Sequence, residues 1–396
     1  MAVLVINCGS SSVKFALFAA DDPQPAAHGI VERLNSPDAR GKMHLAGDGY
    51  VDLAVDAPGD HTAALRSAID ALRAQPGLEP VTAIGHRTVH GGQRFSKPVL
   101  IDADVLASIR LLAPLAPSHN IPNALGIEAA SAVFPGIPQV AVFDTAFHQS
   151  IAPKVYRYAI PDELYREHDV RRYGFHGTSH AYVAAKAAHA LGLPEKHRLL
   201  TAHLGNGCSA TAVLDGKSVD TTMGLTPLEG LVMGTRSGNV DPNLHAFLHR
   251  QTGMSLQEIT DLLNQKSGLT GLAGISDMRQ LAEAEAAGDP AARLAIDVFT
   301  FRLARELCGL CAALGGPPDA LVFTGGIGEN SAMIRRETVA QLGVLGLKLD
   351  QAANLEHGRT TAGRISPHGT KPAVLVIPTN EEFAIATATR EVLAQA

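Results

Sequence analysis

The chain has 396 residues, 46% of them hydrophobic and 18% charged, with a net charge of −6. That length suggests two or three domains, each able to bury a core, with the balance of an ordinary soluble globular protein. The acidic balance without basic runs argues against nucleic acid or an anionic membrane as partner, and no run approaches the roughly 18 apolar residues of a membrane span.

The opening "MAVLVINCGS" lacks a basic n-region, and its apolar stretch is too short for a signal peptide, so a cytoplasmic, reduced setting is expected. In "VINCGSSSVKFALF" an apolar strand ends at Asn7, a Gly-Ser-Ser-Ser turn follows, and the alternation resumes after Lys14. Small residues beside a Lys suit phosphate, but a P-loop needs a second Gly before its Lys and a helix after it. This stretch predicts a hairpin instead. Strands are expected over 3–7, 13–18 and 28–34, with weaker ones to about 55 and a helix near 60–75. "VTAIGHRTVHGG" then reads as a strand, helices follow near 102–112 and 120–133, and "IPQVAVFDTAFH" is a buried strand running into a loop.

After Pro153 and Pro161 the pattern starts again: "LLTAHLGNGCSATAVLDGKSVDTT" is strand, Gly-rich turn, strand, turn, strand. The same device opening both halves predicts a duplicated domain, although any two β-hairpins share this much. "DALVFTGGIGENSAMIRRETVAQL" adds a strand ending at Thr324, a Gly-rich turn, and a helix beginning at Glu329 or Asn330, a setting that favours anionic or polar ligand groups. A dinucleotide site is the competing reading, with Gly326-x-Gly328 after a strand, Asp350 at the acidic spacing and "LGVLGLKLD" as the next strand, but Ser331 stands at the third Gly position. "DGKS" at 215–218 mimics a Walker motif, with Thr211 where its first Gly belongs. One nucleotide lying between two similar domains accounts for the two hairpins and the late turn together.

Other motifs read as structural. Cys308 and Cys311 form a CxxC inside "AIDVFTFRLARELCGLCAALGG", one long amphipathic helix where a buried packing role is expected. His86 and His90 lie four apart on a strand without a Glu, and His245 and His249 four apart on a surface helix; neither pair suits zinc. Candidate functional side chains are Arg87, Asp144, His176, His180, Arg236, Asp277, Arg279 and Glu381. Asp277 equally suits a helix cap, and Glu381 a first-turn acid. Arg87 and Arg236 stand beside Gly-rich turns at strand ends, where open α/β sheets place ligands, with a surface salt bridge as the plainer alternative.

In order along the chain, "VLVINCGSSSVKFALF", "HRTVHGG", "VFDTAFHQS", "RRYGFHGTSH", "HLGNGCSATAVLDGKSVDTTMGLTPLEGLVMGTRSG", "SGLTGLAGISDMR", "VFTGGIGENS" and "IPTNEE" resemble the acetate and butyrate kinase family, of the actin-like, sugar-kinase and heat-shock ATPase superfamily. The resemblance covers nearly the whole chain. It implies an α/β fold of two duplicated ribonuclease-H-like (actin-like ATPase) domains with the active site in the interdomain cleft, the first formed by 1–150 plus 382–396 and the second by 151–381. It implies reversible phosphoryl transfer from ATP to acetate, giving acetyl phosphate and ADP, with Mg²⁺ or Mn²⁺ and in a homodimer. Propionate or butyrate kinase is the alternative within the family, and a non-catalytic nucleotide-binding regulator the alternative outside it.

By the same resemblance, Asn7 and Glu381 hold the metal, and Asp144, His176 and Arg236 are catalytic. Arg87 binds the substrate carboxylate, with Val89, Ser118, Phe175 and Pro227 around its apolar end. Lys14 is an ATP-site residue of the first hairpin, His203, Leu204, Gly205, Asn206 and Gly207 line the ATP phosphates, and Asp277, Met278, Arg279, Gly326, Ile327, Gly328, Glu329 and Asn330 the nucleoside side. Elementary chemistry agrees with the charges. A carboxylate attacking a γ-phosphate brings two anions together, so cations must be supplied, and planar guanidinium forks match both oxygen arrays. A substrate already ionised needs no general base, so Asp144 is expected to orient Arg87 or metal-bound water, although such families label it a proton donor or acceptor.

The chain departs from the family pattern at Ser118 (usually Leu), Ile121 (usually Pro), Asn239 (commonly Asp) and Cys8 (usually Ala). If Ser118 lines the methyl pocket, Ser118→Leu lowers propionate activity more than acetate activity, by about tenfold in relative kcat/KM for one methylene. Equal changes on both substrates would remove Ser118 from the pocket.

Overall fold

The computed structural model describes residues 1–19, 22–45 and 49–395. Two units divide them, Met1–Phe147 with Asn380–Ala396, and His148–Thr379. The crossings lie at 147/148 and 379/380, not after 150 and 381, so Glu381 belongs to the first unit. The reason is packing: Glu381 opens the helix Glu381–Gln395, whose Ile385 and Ala386 are buried against the first unit's sheet.

In the first unit β1 (Val3–Cys8) and β2 (Ser12–Phe18) form the expected antiparallel hairpin, setting Asn7 opposite Lys14. β3 (Ala27–Glu32), β4 (Arg40–Leu45) and β5 (Tyr50–Ala54) extend the sheet antiparallel. On the other side of β1 come β6 (Ala83–Thr88), the two-residue β7 (Val99–Leu100) and β8 (Gln139–Phe143), in the order β5-β4-β3-β2-β1-β6-β8-β7. β6 is parallel to β1, and β8 to β6.

The period-two rule accounts for both faces. Leu4, Ile6, Cys8, Phe15 and Leu17 pack with residues of the helices His61–Arg73 and Pro117–Val133, while Val3, Val5, Ala16 and Phe18 meet the C-terminal helix. Burial on both faces is why β1 reads as an unbroken apolar run. The helices at 61 and 103 start where Asp60 and Asp102 accept from Ala63 and Val105 N–H groups. The third starts at Pro117, earlier than the sequence pattern suggests, because Pro122 lies within it.

The second unit carries β9 (Arg198–Leu204), β10 (Cys208–Leu214), β11 (Lys217–Thr221), β12 (Ala320–Thr324) and β13 (Ala373–Val376) in the order β11-β10-β9-β12-β13. β9 is antiparallel to β10 and parallel to β12, which is parallel to β13. With β4, β5 and β7 set aside and the remaining strands numbered within each unit, both cores run third, second, first, fourth, fifth, with the same strand senses. This shared order is the ribonuclease-H-like arrangement, and it establishes the duplication that two hairpins alone left open. "DGKS" is the tight turn of the β10–β11 hairpin, with Asp215 and Gly216 at φ 52° and 74°. "LGVLGLKLD" forms no strand: Gly343–Leu345 is a 3₁₀ turn and Asp350 caps the helix Gln351–Leu355, which removes the dinucleotide reading.

The CxxC lies within the helix Pro290–Leu314, but both cysteines are half-buried rather than core. No helix among the described residues is long and apolar enough to cross a membrane. Gly85 on β6 marks where the C-terminal helix comes closest: a Cβ there would stand 2.5 Å from Thr389 Oγ1 and 2.8 Å from Ile385 Cγ2. Gly85→Ala is therefore expected to lower the unfolding free energy by about 1–3 kcal/mol, the usual cost of overpacking, read from urea denaturation. An unchanged midpoint would show that the helix yields at this contact.

Candidate active site

In the first unit the chemistry gathers at the carboxyl ends of β6 and β8. Arg87 precedes the last residue of β6, and Asp144 follows the last residue of β8, with its N–H donated to Thr88 O at 2.9 Å. Arg87 donates through Nε to Asp144 Oδ1 at 3.1 Å and through Nη2 to Oδ2 at 2.6 Å, a planar fork. Asp144 is 1% exposed and Arg87 24%, so this is not a surface salt bridge. The Asp144 charge holds the guanidinium well above its ordinary pKa. One edge of Arg87 is thus committed, leaving the Nη1 donors outside the fork for a second anion.

Glu381, at the start of the C-terminal helix, lies 4.0 Å from Arg87 Nε. Burial pushes its carboxyl up to about 7, with Asp144 and Glu382 adding and Arg87 and Lys14 opposing. A carboxylate so placed favours a bound cation. Asn7 stands near the end of β1, paired across the hairpin with Lys14. Lys14 is exposed on β2.

Two buried asparagines of the helix Pro117–Val133, not singled out in the sequence, hold this region. Asn123 accepts from Val89 N at 3.0 Å and donates to Cys8 O at 3.0 Å, while Asn120 accepts from His90 N at 3.0 Å and donates back to His90 O at 2.9 Å. They tie the end of β1 to the loop behind Arg87. Their signal was available in "SHNIPN", where two amides three apart enter an apolar helix. Val89 is buried, while Ser118, in the first turn of that helix, is exposed with Oγ 2.9 Å from His119 Nδ1. His86 and His90 are buried, each pulled down to about 4 by burial, with His86 Nε2 2.6 Å from Gln139 Oε1.

In the second unit the β9–β10 turn is Gly205-Asn206-Gly207, closed by Gly205 N–H to Gly207 O at 3.0 Å. A Cβ on Gly207 would stand 2.7 Å from Arg236 Nη2 and 3.5 Å from His176 Nε2. The guanidinium and the imidazole therefore converge on the hairpin tip. Arg236 is anchored by Nη1 to Pro227 O at 2.6 Å, and burial lowers its pKa, opposed by Cys208. His176 has φ 56°, a left-handed backbone unusual for a non-glycine, at the start of the helix Gly177–Ala190. Its Nδ1 lies 2.9 Å from Ser209 Oγ, and its ring stacks on His203 with centroids 4.3 Å apart. Phe175 is buried, and its carbonyl lies 3.0 Å from His148 Nε2.

A cleft of about 780 Å³ adjoins the same tip, lined by Gly205, Asn206, Asp277, Met278, Arg279 and Gly326, with Ile327 and Asn330 beyond. Its size is that of a small-molecule pocket. Asp277 caps the helix Met278–Ala286 through Arg279 N, the structural one of its two readings, and pairs with Arg279 Nη2 at 2.7 Å, which holds its carboxyl well below the ordinary range. The Gly-rich turn is helical from Gly325, earlier than Glu329. Glu329 turns inward, accepting from Gly325 N at 2.9 Å and Thr379 N at 3.1 Å. The fully buried Arg335, unremarked in the sequence, donates to Gly328 O at 2.8 Å and Glu329 O at 3.0 Å and so fixes the turn. Leu204 is core.

The sequence pattern of the acetokinase family matches residues 2–387. The acetate kinase of Deinococcus deserti is 54% identical over 401 residues, covering 100% of this chain and 98% of that protein. Among solved structures, a propionate kinase from Francisella tularensis is 44% identical with a TM-score of 0.92, and the acetate kinase of Porphyromonas gingivalis is 42% identical with a TM-score of 0.92, each covering 99% of both chains. With the family pattern running almost end to end and relatives of this similarity at full length, the chain belongs to the acetokinase family.

Proposed function

We propose that this chain transfers the γ-phosphoryl group of ATP reversibly to acetate, giving acetyl phosphate and ADP. The observation that carries the proposal is the convergence of Arg236 Nη2 and His176 Nε2 on Gly207, beside a nucleotide-sized cleft. A transferring phosphoryl group spreads charge over its equatorial oxygens, and catalysis is mostly positioning and electrostatic stabilisation. Gly207 leaves room for those oxygens beside two donors. The Nη1 side of Arg87 binds the acetate carboxylate while Asp144 holds the guanidinium plane. An acetate oxygen then attacks phosphorus as the bond to the β-bridging oxygen breaks, and no proton need move. Asn7 and Glu381 would hold Mg²⁺, which would supply positive charge to the phosphates.

The similarity to a propionate kinase supports a second, narrower reading in which propionate is used alongside acetate. Hydroxylamine trapping of acyl phosphate, run with ATP and Mg²⁺ over formate, acetate, propionate and butyrate, separates the two. The highest kcat/KM is expected for acetate. Absence of any acyl hydroxamate would overturn the proposal.

Two variants test the roles. Arg87→Lys keeps the charge but cannot form the fork with Asp144, and a loss of about 10–100-fold in kcat/KM for acetate is expected from hydrogen bonds to a charged partner. Near-normal kcat/KM would remove Arg87 from the site. Gly207→Ala places a methyl against Arg236 Nη2, and kcat is expected to fall about tenfold or more, with the far-UV circular dichroism unchanged, as about 1.4 kcal/mol of lost stabilisation would give. Retained kcat would mean that the phosphoryl group passes elsewhere.

A further inference from the structure

Behind His176 runs a chain of buried hydroxyls and imidazoles that the reaction as described does not use. Ser209 Oγ, on β10, lies 2.9 Å from His176 Nδ1 and 2.7 Å from His180 Nε2. His180, one helical turn after His176, places Nδ1 2.7 Å from Thr201 Oγ1 on β9. Thr201 Oγ1 in turn donates to Thr211 O at 3.4 Å. Ser209, His180 and Thr201 are each fully buried.

Donor accounting orients every proton in this chain. A hydroxyl has one proton, and Thr201 spends its own on Thr211 O, so Thr201 Oγ1 accepts from His180 Nδ1–H. Burial, with His148 and His203 adding, keeps His180 neutral. A neutral imidazole with its proton on Nδ1 offers a lone pair at Nε2, which takes the Ser209 hydroxyl proton. Ser209 then has only a lone pair left for His176, so His176 must carry its proton on Nδ1.

We infer that Thr201, His180 and Ser209 are positioning residues that hold the His176 proton on Nδ1, so that Nε2, the nitrogen facing Gly207 and Arg236, donates to a phosphoryl oxygen only when His176 is imidazolium. The inference rests on the reading of His176 as a phosphoryl-stabilising group. Its consequence has a definite sign. Nε2 loses its proton as pH rises through the His176 pKa, and the donor is lost with it, so kcat falls on the alkaline side. The groups facing His176 are His203, stacked at 4.3 Å, His180 through Ser209, and Arg236 across Gly207; His148 lies edge-on to His180 at 5.9 Å, and Cys208 adjoins Ser209 on β10. The Arg236 guanidinium opposes protonation of His176, whereas an anionic phosphoryl group favours it. Bound nucleotide is therefore expected to move the alkaline limb upward.

The test uses the full chain labelled with ¹⁵N-histidine, with His176 assigned by comparison with His176→Gln, together with kcat and KM against pH. In the unsubstituted protein the neutral His176 is expected as the Nδ1–H tautomer. Thr201→Val removes the hydroxyl that orders the chain and should shift His176 toward Nε2–H. Ser209→Ala removes the acceptor that keeps the proton on Nδ1, so neutral His176 can carry it on Nε2; the alkaline limb is expected to move upward while the KM for acetate stays within about twofold, and Ser209→Thr restores the limb. A His176 found as Nε2–H in the unsubstituted protein would overturn the inference. So would Ser209→Ala with tautomer and alkaline limb unmoved while His176→Gln is impaired. Normal kcat in His176→Gln would overturn the reading of His176 itself, and the tautomer measurement would still decide the relay.

Discussion

Both units depend on one constraint, the pairing of a first strand that is antiparallel to the second and parallel to the fourth. Parallel strands end on the same edge of a sheet. The turn that closes β1–β2 therefore lies on the edge where β6 and β8 finish, and the turn that closes β9–β10 on the edge where β12 finishes. In each unit a small-residue turn shares an edge with the ends of parallel strands, where backbone N–H groups and side chains project without a following strand to pair with. Arg87 and Asp144 in one unit, and the Gly325–Asn330 turn in the other, occupy corresponding ends.

The charges follow from the same placement. Arg87 and Asp144 meet because adjacent parallel strands set their ends side by side, and the fork pairs Asp144, at 1% exposure, with a charge of opposite sign. Such a pair adds little to stability, since desolvation offsets much of the attraction. Its value is orientation: the guanidinium plane is set before any substrate arrives. Burial also raises the Glu381 carboxyl and lowers Arg236, so both units hold groups whose charge is costly until an ion of opposite sign comes near. An enzyme that brings two anions together has use for both.

Residues that never touch a ligand account for much of the geometry. Asn120 and Asn123 tie the loop behind Arg87 to the end of β1, and Arg335 ties the Gly-rich turn to Asn354. Each is a buried polar side chain whose donors and acceptors go to backbone or, for Arg335, also to the Asn354 and His357 side chains, which is the condition for burying it at all. A mobile loop would leave the phosphoryl and carboxylate groups to be ordered at binding, at a cost in entropy that these contacts have already met.

By itself the sequence determined the strands, the two hairpins and the family motifs, because period-two alternation and turn residues at fixed spacing are local properties. It also singled out Arg87, Asp144, His176 and Arg236 as candidates, with their roles implied by the family resemblance. Pro122 obscured the start of its helix, and "LGVLGLKLD" had strand composition without a strand's place, because only neighbouring strands decide whether an apolar run joins a sheet. Tertiary structure alone decided that one edge of Arg87 belongs to Asp144, 57 residues away, and that Glu329 turns inward. It alone decided that Glu381 belongs to the first unit, and that Arg236 and His176 meet over Gly207. Each of these depends on which distant backbone a polar group can reach, and sequence spacing carries no record of that distance.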